Sequence, residues 1–361
     1  MNKALGILPL IVLSLLAAIW TGWLRLGWSL PLPNAVAQHG ALMVNSFLAT
    51  LVFLERAVTV KSRWLLLLPA VNGISVLFFL GHQPAVAQGL LIAGSGGFLL
   101  LCGYFAGRYK ELYYYVFLAG AFCLLSGNII LFHTHFYPYA VSWWMAFLLL
   151  TIVAERLELS RFLALNNAQR AWLLAALGGL LLSLFVPFHL NGSLYFSVAL
   201  VAVAAWLLRY DMARRSVRMA GQHRYSGALL LVGYAWLPVT ALLLTAGRQT
   251  AFGYDAALHA FFIGFVFSMI FSHAPIILPA VLRLPVKLYR PVLYLWFALL
   301  QLTLVARMAA DWAGACEVRR WAGLLNGVVI LLFFTTVALT LRRELSRRKM
   351  SPRANLHPVL Q

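Results

Sequence analysis

Acidic residues are scarce in this chain, with nine Asp and Glu in 361 residues against 28 Lys and Arg. Charged residues of both signs make up only 10% of the sequence, while 63% is hydrophobic. No soluble core hides that much apolar surface, so a water-soluble enzyme or binding module is excluded and an integral membrane protein is expected. The shortage of acids also argues against a cation path through the middle of the membrane. Cysteine is nearly absent. Cys102, Cys123 and Cys316 are scattered without a C-x-x-C pair, which excludes a disulfide framework and a thiolate metal site. Polar connections are short, which leaves no room for a soluble domain.

Long apolar runs are what the chain has instead. About 20 apolar residues span a bilayer core, and twelve such segments follow one another: 5–24, 36–58, 64–81, 86–106, 112–133, 138–157, 171–189, 193–209, 225–247, 252–280, 289–310 and 320–341. The first is long and lacks a small-residue cleavage site, so it reads as a span and not as a signal peptide. The sequence therefore predicts an all-α membrane protein, with one polytopic domain over 1–341 and a basic tail over 342–361 that contacts anionic headgroups.

The basic residues set the orientation. With a cytoplasmic N-terminus, all but five of the 28 Lys and Arg fall on the inner side, the exceptions being Arg25, Arg248, Arg307, Arg319 and Arg320. That bias places both termini in the cytoplasm and calls for an even number of spans. The net charge of +19 is then a topology signal and not the footprint of a nucleic-acid partner.

Segments 38–58, "QHGALMVNSFLATLVFLERAV", and 145–160, "MAFLLLTIVAERLELS", align with an offset of 100, matching Phe47 with Phe147, Glu55 with Glu155 and Arg56 with Arg156. A third, "HAFFIGFVFSMIFSHAPIILP" at 259–279, opens on His259 as the first does on His39. These are the second, sixth and tenth helices, and a period of four suggests three related groups of four. Glu55, Arg56, Glu155 and Arg156 read as structural ion pairs at the inner membrane edge, where Arg snorkels to headgroups.

The chain has nine histidines, and six of them, His39, His82, His133, His135, His189 and His259, fall at outer helix ends or in outer loops. Any single one is readily explained as an interfacial side chain. Gathered on one leaflet, they suggest a ligand cluster, since imidazole suits haem iron and copper. His273 lies deeper in the tenth helix. Its 14-residue spacing from His259 corresponds to about 21 Å of helical rise, as in cytochromes that stack two haems, but no other deep histidine would complete an inner site. Pro275 and Pro279 are expected to disrupt the helix there.

Twelve helices with a four-helix period, "HGALM" opening the second and "HAFFIGF" opening the tenth, resemble the NnrS family of haem- and copper-containing membrane proteins and, more distantly, subunit I of the haem-copper oxidases and nitric oxide reductases. The resemblance implies haem b held by His39 and His259, with His82, His133, His135, His189 and His273 as candidates for a second haem or copper. It also implies a bacterial inner membrane, nitric oxide as a gaseous partner, an electron donor or respiratory complex, and a haem-dependent oxidoreductase if there is turnover. The sequence departs from the oxidase pattern: the sixth helix has no histidine and no His-His pair occurs, so proton-pumping oxygen reduction is not expected. Two other readings stand beside this one. The first is a transporter of protons or metal ions, drawn from the Gly-rich fourth helix, with Gly103 and Gly107 at close-packing spacing, and the interrupted tenth. The second is a non-catalytic subunit or assembly partner of a respiratory complex.

Overall fold

The computed structural model describes residues 3–60, 62–160, 165–247 and 250–350. The side chain of His189 and the end of the tail lie outside the described residues. Among these the chain is helical, with no strand. In order, the long helices are α1 (Leu8–Arg25), α2 (Pro33–Thr59), α3 (Arg63–Leu80), α4 (Pro84–Tyr109), α5 (Leu112–Thr134), α6 (Tyr137–Ser160), α7 (Asn167–Ser183), α8 (Leu190–Tyr210), α9 (Gly221–Ala246), α10 (Gly253–Val281), α11 (Val292–Ala313) and α12 (Cys316–Met350). All but α7 are long and apolar enough to cross a membrane, eleven among the described residues. The protein is thus a multi-pass helical membrane protein.

Every expected segment coincides with a helix, but the seventh is cut short. Asn166 and Gln169 form a capping box at the start of α7, which fixes that end by satisfying orphan N–H groups on both sides. The other end stops at Ser183, ahead of Pro187 and a non-helical Leu190. Its 17 residues rise about 26 Å, less than the roughly 30 Å hydrocarbon core. At the chain's end the opposite holds. Helix α12 runs through to Met350, so the first residues of the basic tail extend the last helix.

Proline does not interrupt α10 as the sequence suggested. Pro275 removes the N–H that would bond the carbonyl of Phe271, and Tyr225 Oη on α9 donates to that oxygen instead, at 3.1 Å. Ser226 Oγ donates to the next carbonyl, of Ser272, at 3.0 Å. A neighbouring helix satisfies the freed backbone, and α10 continues to Val281. Close packing in α4 also differs from expectation. A methyl at Gly94 would stand 2.8 Å from Asn72 Oδ1, whereas Gly107 faces open space and Gly103 meets only Leu118 at 3.9 Å.

Two helices carry a matching irregularity. Leu42–Ala49 of α2 and Ala260–Phe267 of α10 are π-helical, each beginning within three residues of the histidine that precedes it. Phe47 and Phe267, eight residues beyond those histidines, face each other with ring centroids 6.3 Å apart. A π-segment widens the helix and rotates the side chains that follow, and such segments recur at functional sites.

Candidate functional site

The starts of α2 and α10 and the end of α1 share one face of the bundle. There the rings of His39 and His259 lie with centroids 6.4 Å apart and planes within 16° of parallel. That separation is too wide for stacked rings in contact. A metal–imidazole bond of about 2 Å on each side, plus about 1 Å from nitrogen to ring centre, gives roughly 6 Å.

Both rings are fixed in the same tautomer. His39 Nδ1 is 2.8 Å from the carbonyl of Ala18 on α1, and His259 Nδ1 is 2.8 Å from that of Asp255, one turn earlier on α10. A carbonyl only accepts, so each Nδ1 carries the hydrogen and each Nε2 keeps its lone pair. Neither Nε2 has a hydrogen-bond partner among the described residues. A donor bond from the far nitrogen is the arrangement that orients a metal-ligating histidine.

Between the two rings opens a cavity lined from α1, α2, α6, α10, α11 and α12, with Trp23, Met43, Trp144 and Phe262 among its apolar walls. Its empty space is about 1030 Å³ including the open mouth. The near-parallel rings on two sides make it a slot. Gly22 makes room for it, because a methyl there would stand 2.9 Å from Cε1 of His39. On α12, Gly327 allows a similar approach, where a methyl would meet Ile19 Cγ2 and Trp23 Nε1 at 2.8 Å; with Gly323 it forms a G-x-x-x-G face against α1. Three buried polar atoms of the lining have no partner: Trp23 Nε1, Arg307 Nε and Asn326 Oδ1.

Charge at the mouth is organised around Asp255. Its Oδ2 accepts from Arg307 on α11 at 2.8 Å and from Arg319 on α12 at 3.0 Å, while its Oδ1 lies 3.4 Å from His259 Nδ1. Arg319 Nε also donates to Asp311, at 2.7 Å. Arg25 is exposed beside them. Sequence reasoning singled out neither Asp255 nor these arginines as site residues. A signal was present: Arg25, Arg307 and Arg319 are three of the five basic residues on the side where the sequence places few, and all three line the cavity. A fourth, Arg320, lies over the Trp28 ring at 4.2 Å.

None of the other histidines whose side chains are described joins this pair. His82, His133 and His135 are exposed at helix ends and line no part of the cavity. His135 sits in the left-handed region at φ 52°, closing α5, so it diverges from His133 on the last helical turn. His273 is engaged elsewhere: Nδ1 donates to Met269 O at 2.7 Å, and Nε2 accepts from Arg156 at 2.9 Å. Its metal-binding lone pair is thereby occupied. Among the described residues no group of three or more His, Cys, Asp or Glu is placed to hold a metal ion.

At the opposite end of the bundle, the Glu-Arg motifs pair across helices and not within themselves. Arg56 on α2 reaches Glu155 at 3.2 Å and Glu158 at 3.5 Å, both on α6, and its guanidinium lies over Phe117 at 4.0 Å. Adjacent residues on a helix point about 100° apart, so Glu55 and Arg56 do not face each other. Arg156, buried, takes His273 on α10.

The class that the fold defines is a multi-pass helical membrane protein, here with a candidate binding cavity lined by two facing histidines. The particular family follows from the sequence profile that matches residues 5–342, described as a domain of unknown function (DUF8744). The chain belongs to that family. No curated protein and no solved structure matches it.

Proposed function

We propose that this is a haem b protein of the bacterial inner membrane, with His39 and His259 as the two axial ligands, acting in the response to nitric oxide by electron transfer or gas binding. The observation that carries the reading is the paired geometry: two rings 6.4 Å apart, both with Nδ1 tied to carbonyls and Nε2 free. Resemblance of "HGALM" and "HAFFIGF" to the NnrS and oxidase patterns points the same way.

Each residue then has a task. Ala18 and Asp255 hold the two tautomers, Gly22 leaves space for the His39 ring, and Trp23, Trp144 and Phe262 exclude water from the faces of the slot. Arg25, exposed at the mouth, suits the carboxylates of the haem edge, since an arginine fork pairs with carboxylate oxygens. Haem held here would supply one-electron chemistry, and with both imidazoles bound a diatomic gas would reach the iron only by displacing one of them. The oxidase-like plan of three groups of four belongs to the same reading, as does α7 as a twelfth crossing, short enough to thin the bilayer locally, that returns the C-terminus to the cytoplasmic side.

Expression with haem supply and purification in detergent tests it. A Soret band with about one haem per chain, lost in both His39→Ala and His259→Ala, is the expected result. Purified, folded protein without a chromophore or iron contradicts it.

A further inference from the structure

The two histidines are not held alike. His39 bonds one neutral carbonyl on another helix, whereas His259 Nδ1–H lies between the Asp255 carbonyl at 2.8 Å and the Asp255 carboxylate at 3.4 Å. That carboxylate is itself pinned. Its Oδ2 is shared by Arg307 and Arg319, from two further helices, and Arg319 is anchored in turn by Asp311. One side chain thus links α10, α11 and α12 at the point where the candidate ligand ring is oriented.

We infer that Asp255 is a positioning residue that makes His259 the more electron-donating of the two imidazoles, with Arg307 setting how far its charge is felt. The inference rests on the haem reading. A negative group beside the outer N–H of a ligating imidazole raises the basicity of the metal-binding nitrogen. Greater donation and the negative charge itself both favour the oxidised iron, so the carboxylate holds the midpoint potential down. Arg307, 6% exposed at its side chain, draws Oδ2 away from the ring and opposes this with its own positive charge. Asp255 and His259 are half-buried, so solvent at the mouth screens these effects only in part.

The signs make the inference testable, because removing the two partners should move the potential in opposite directions. Redox titration of purified, haem-loaded full-length protein, followed optically, should show Asp255→Asn shifted to higher potential and Arg307→Gln to lower potential, with Asp255→Glu close to wild type. A merely structural role predicts lost haem or shifts of one sign in both variants. Equal potentials in wild type and Asp255→Asn, at full haem content, overturn the inference. If Asp255→Asn fails to retain haem, Arg307→Gln decides: an unchanged or raised potential overturns it. Absence of haem from the wild type overturns the haem reading itself, before any of these comparisons.

Discussion

Arg156 on α6 donates to His273 on α10 at 2.9 Å, and the residue before it, Glu155, accepts from Arg56 on α2 at 3.2 Å. Three helices that share a sequence pattern are thereby stitched together at one end of the bundle. At the other end α2 and α10 present His39 and His259 across a slot. The π-segments of α2 and α10 lie between these two ends.

Loss of that stitch should be costly. Arg156→Leu removes the donor to His273 and leaves Asp211 and Tyr234, which interact with the same guanidinium, without their cation. Bonds to charged groups contribute about 1.5–3 kcal/mol each, so thermal melts in detergent should show a loss of at least about 2 kcal/mol. A melting curve matching wild type would show that the contact is dispensable.

His273 should not behave as a metal ligand. Gln at this position keeps an acceptor for Arg156 but no imidazole, so His273→Gln should leave the absorption spectrum and haem content unchanged and stability nearly so. His133→Ala with His135→Ala should be equally silent. Loss of a spectral component in either protein would reveal a second metal site.

Space at Gly22 is predicted to be essential. A methyl 2.9 Å from the His39 ring forces the ring away from Ala18, and overpacking of this kind costs about 1–3 kcal/mol. Gly22→Ala should lower haem occupancy several-fold, and Gly22→Leu should abolish it while the protein still purifies. Full occupancy in Gly22→Leu would mean that the ring is not held where the slot needs it.

Asp211, just beyond α8, gives a pH signature. Burial raises its carboxyl above the usual range, against the pull of Arg156 and the backbone N–H of Ala213. The folded state therefore holds this proton more tightly than the unfolded chain. The stabilisation is fully present below the unfolded pKa of about 4 and is lost as pH rises through the higher folded value. As pH rises above about 4, wild type should lose stability relative to Asp211→Asn, measured by melts across a pH series. A constant difference would contradict the assignment.

How much was legible in the sequence follows from the physics of each feature. Helix positions were readable because apolar length alone sets them, and His39 and His259 stood out because each opens an apolar run. Partnerships across helices were not readable. Arg56 looks paired with its neighbour Glu55 until the helix turns them apart, and Pro275 looks like a break until Tyr225 caps the freed carbonyl. Asp255 and Arg319, 64 residues apart in sequence, meet only once α10 and α12 pack together. Their one local trace was arginine on the side of the membrane where the pattern places little of it.

The most direct test of the central claim is near-infrared magnetic circular dichroism of the ferric protein, where the charge-transfer band reports the pair of axial ligands. Two imidazoles are predicted, converting to another ligand set in His39→Ala and in His259→Ala alike. A spectrum from any other pair in the wild type, or one untouched by either substitution, would contradict the account.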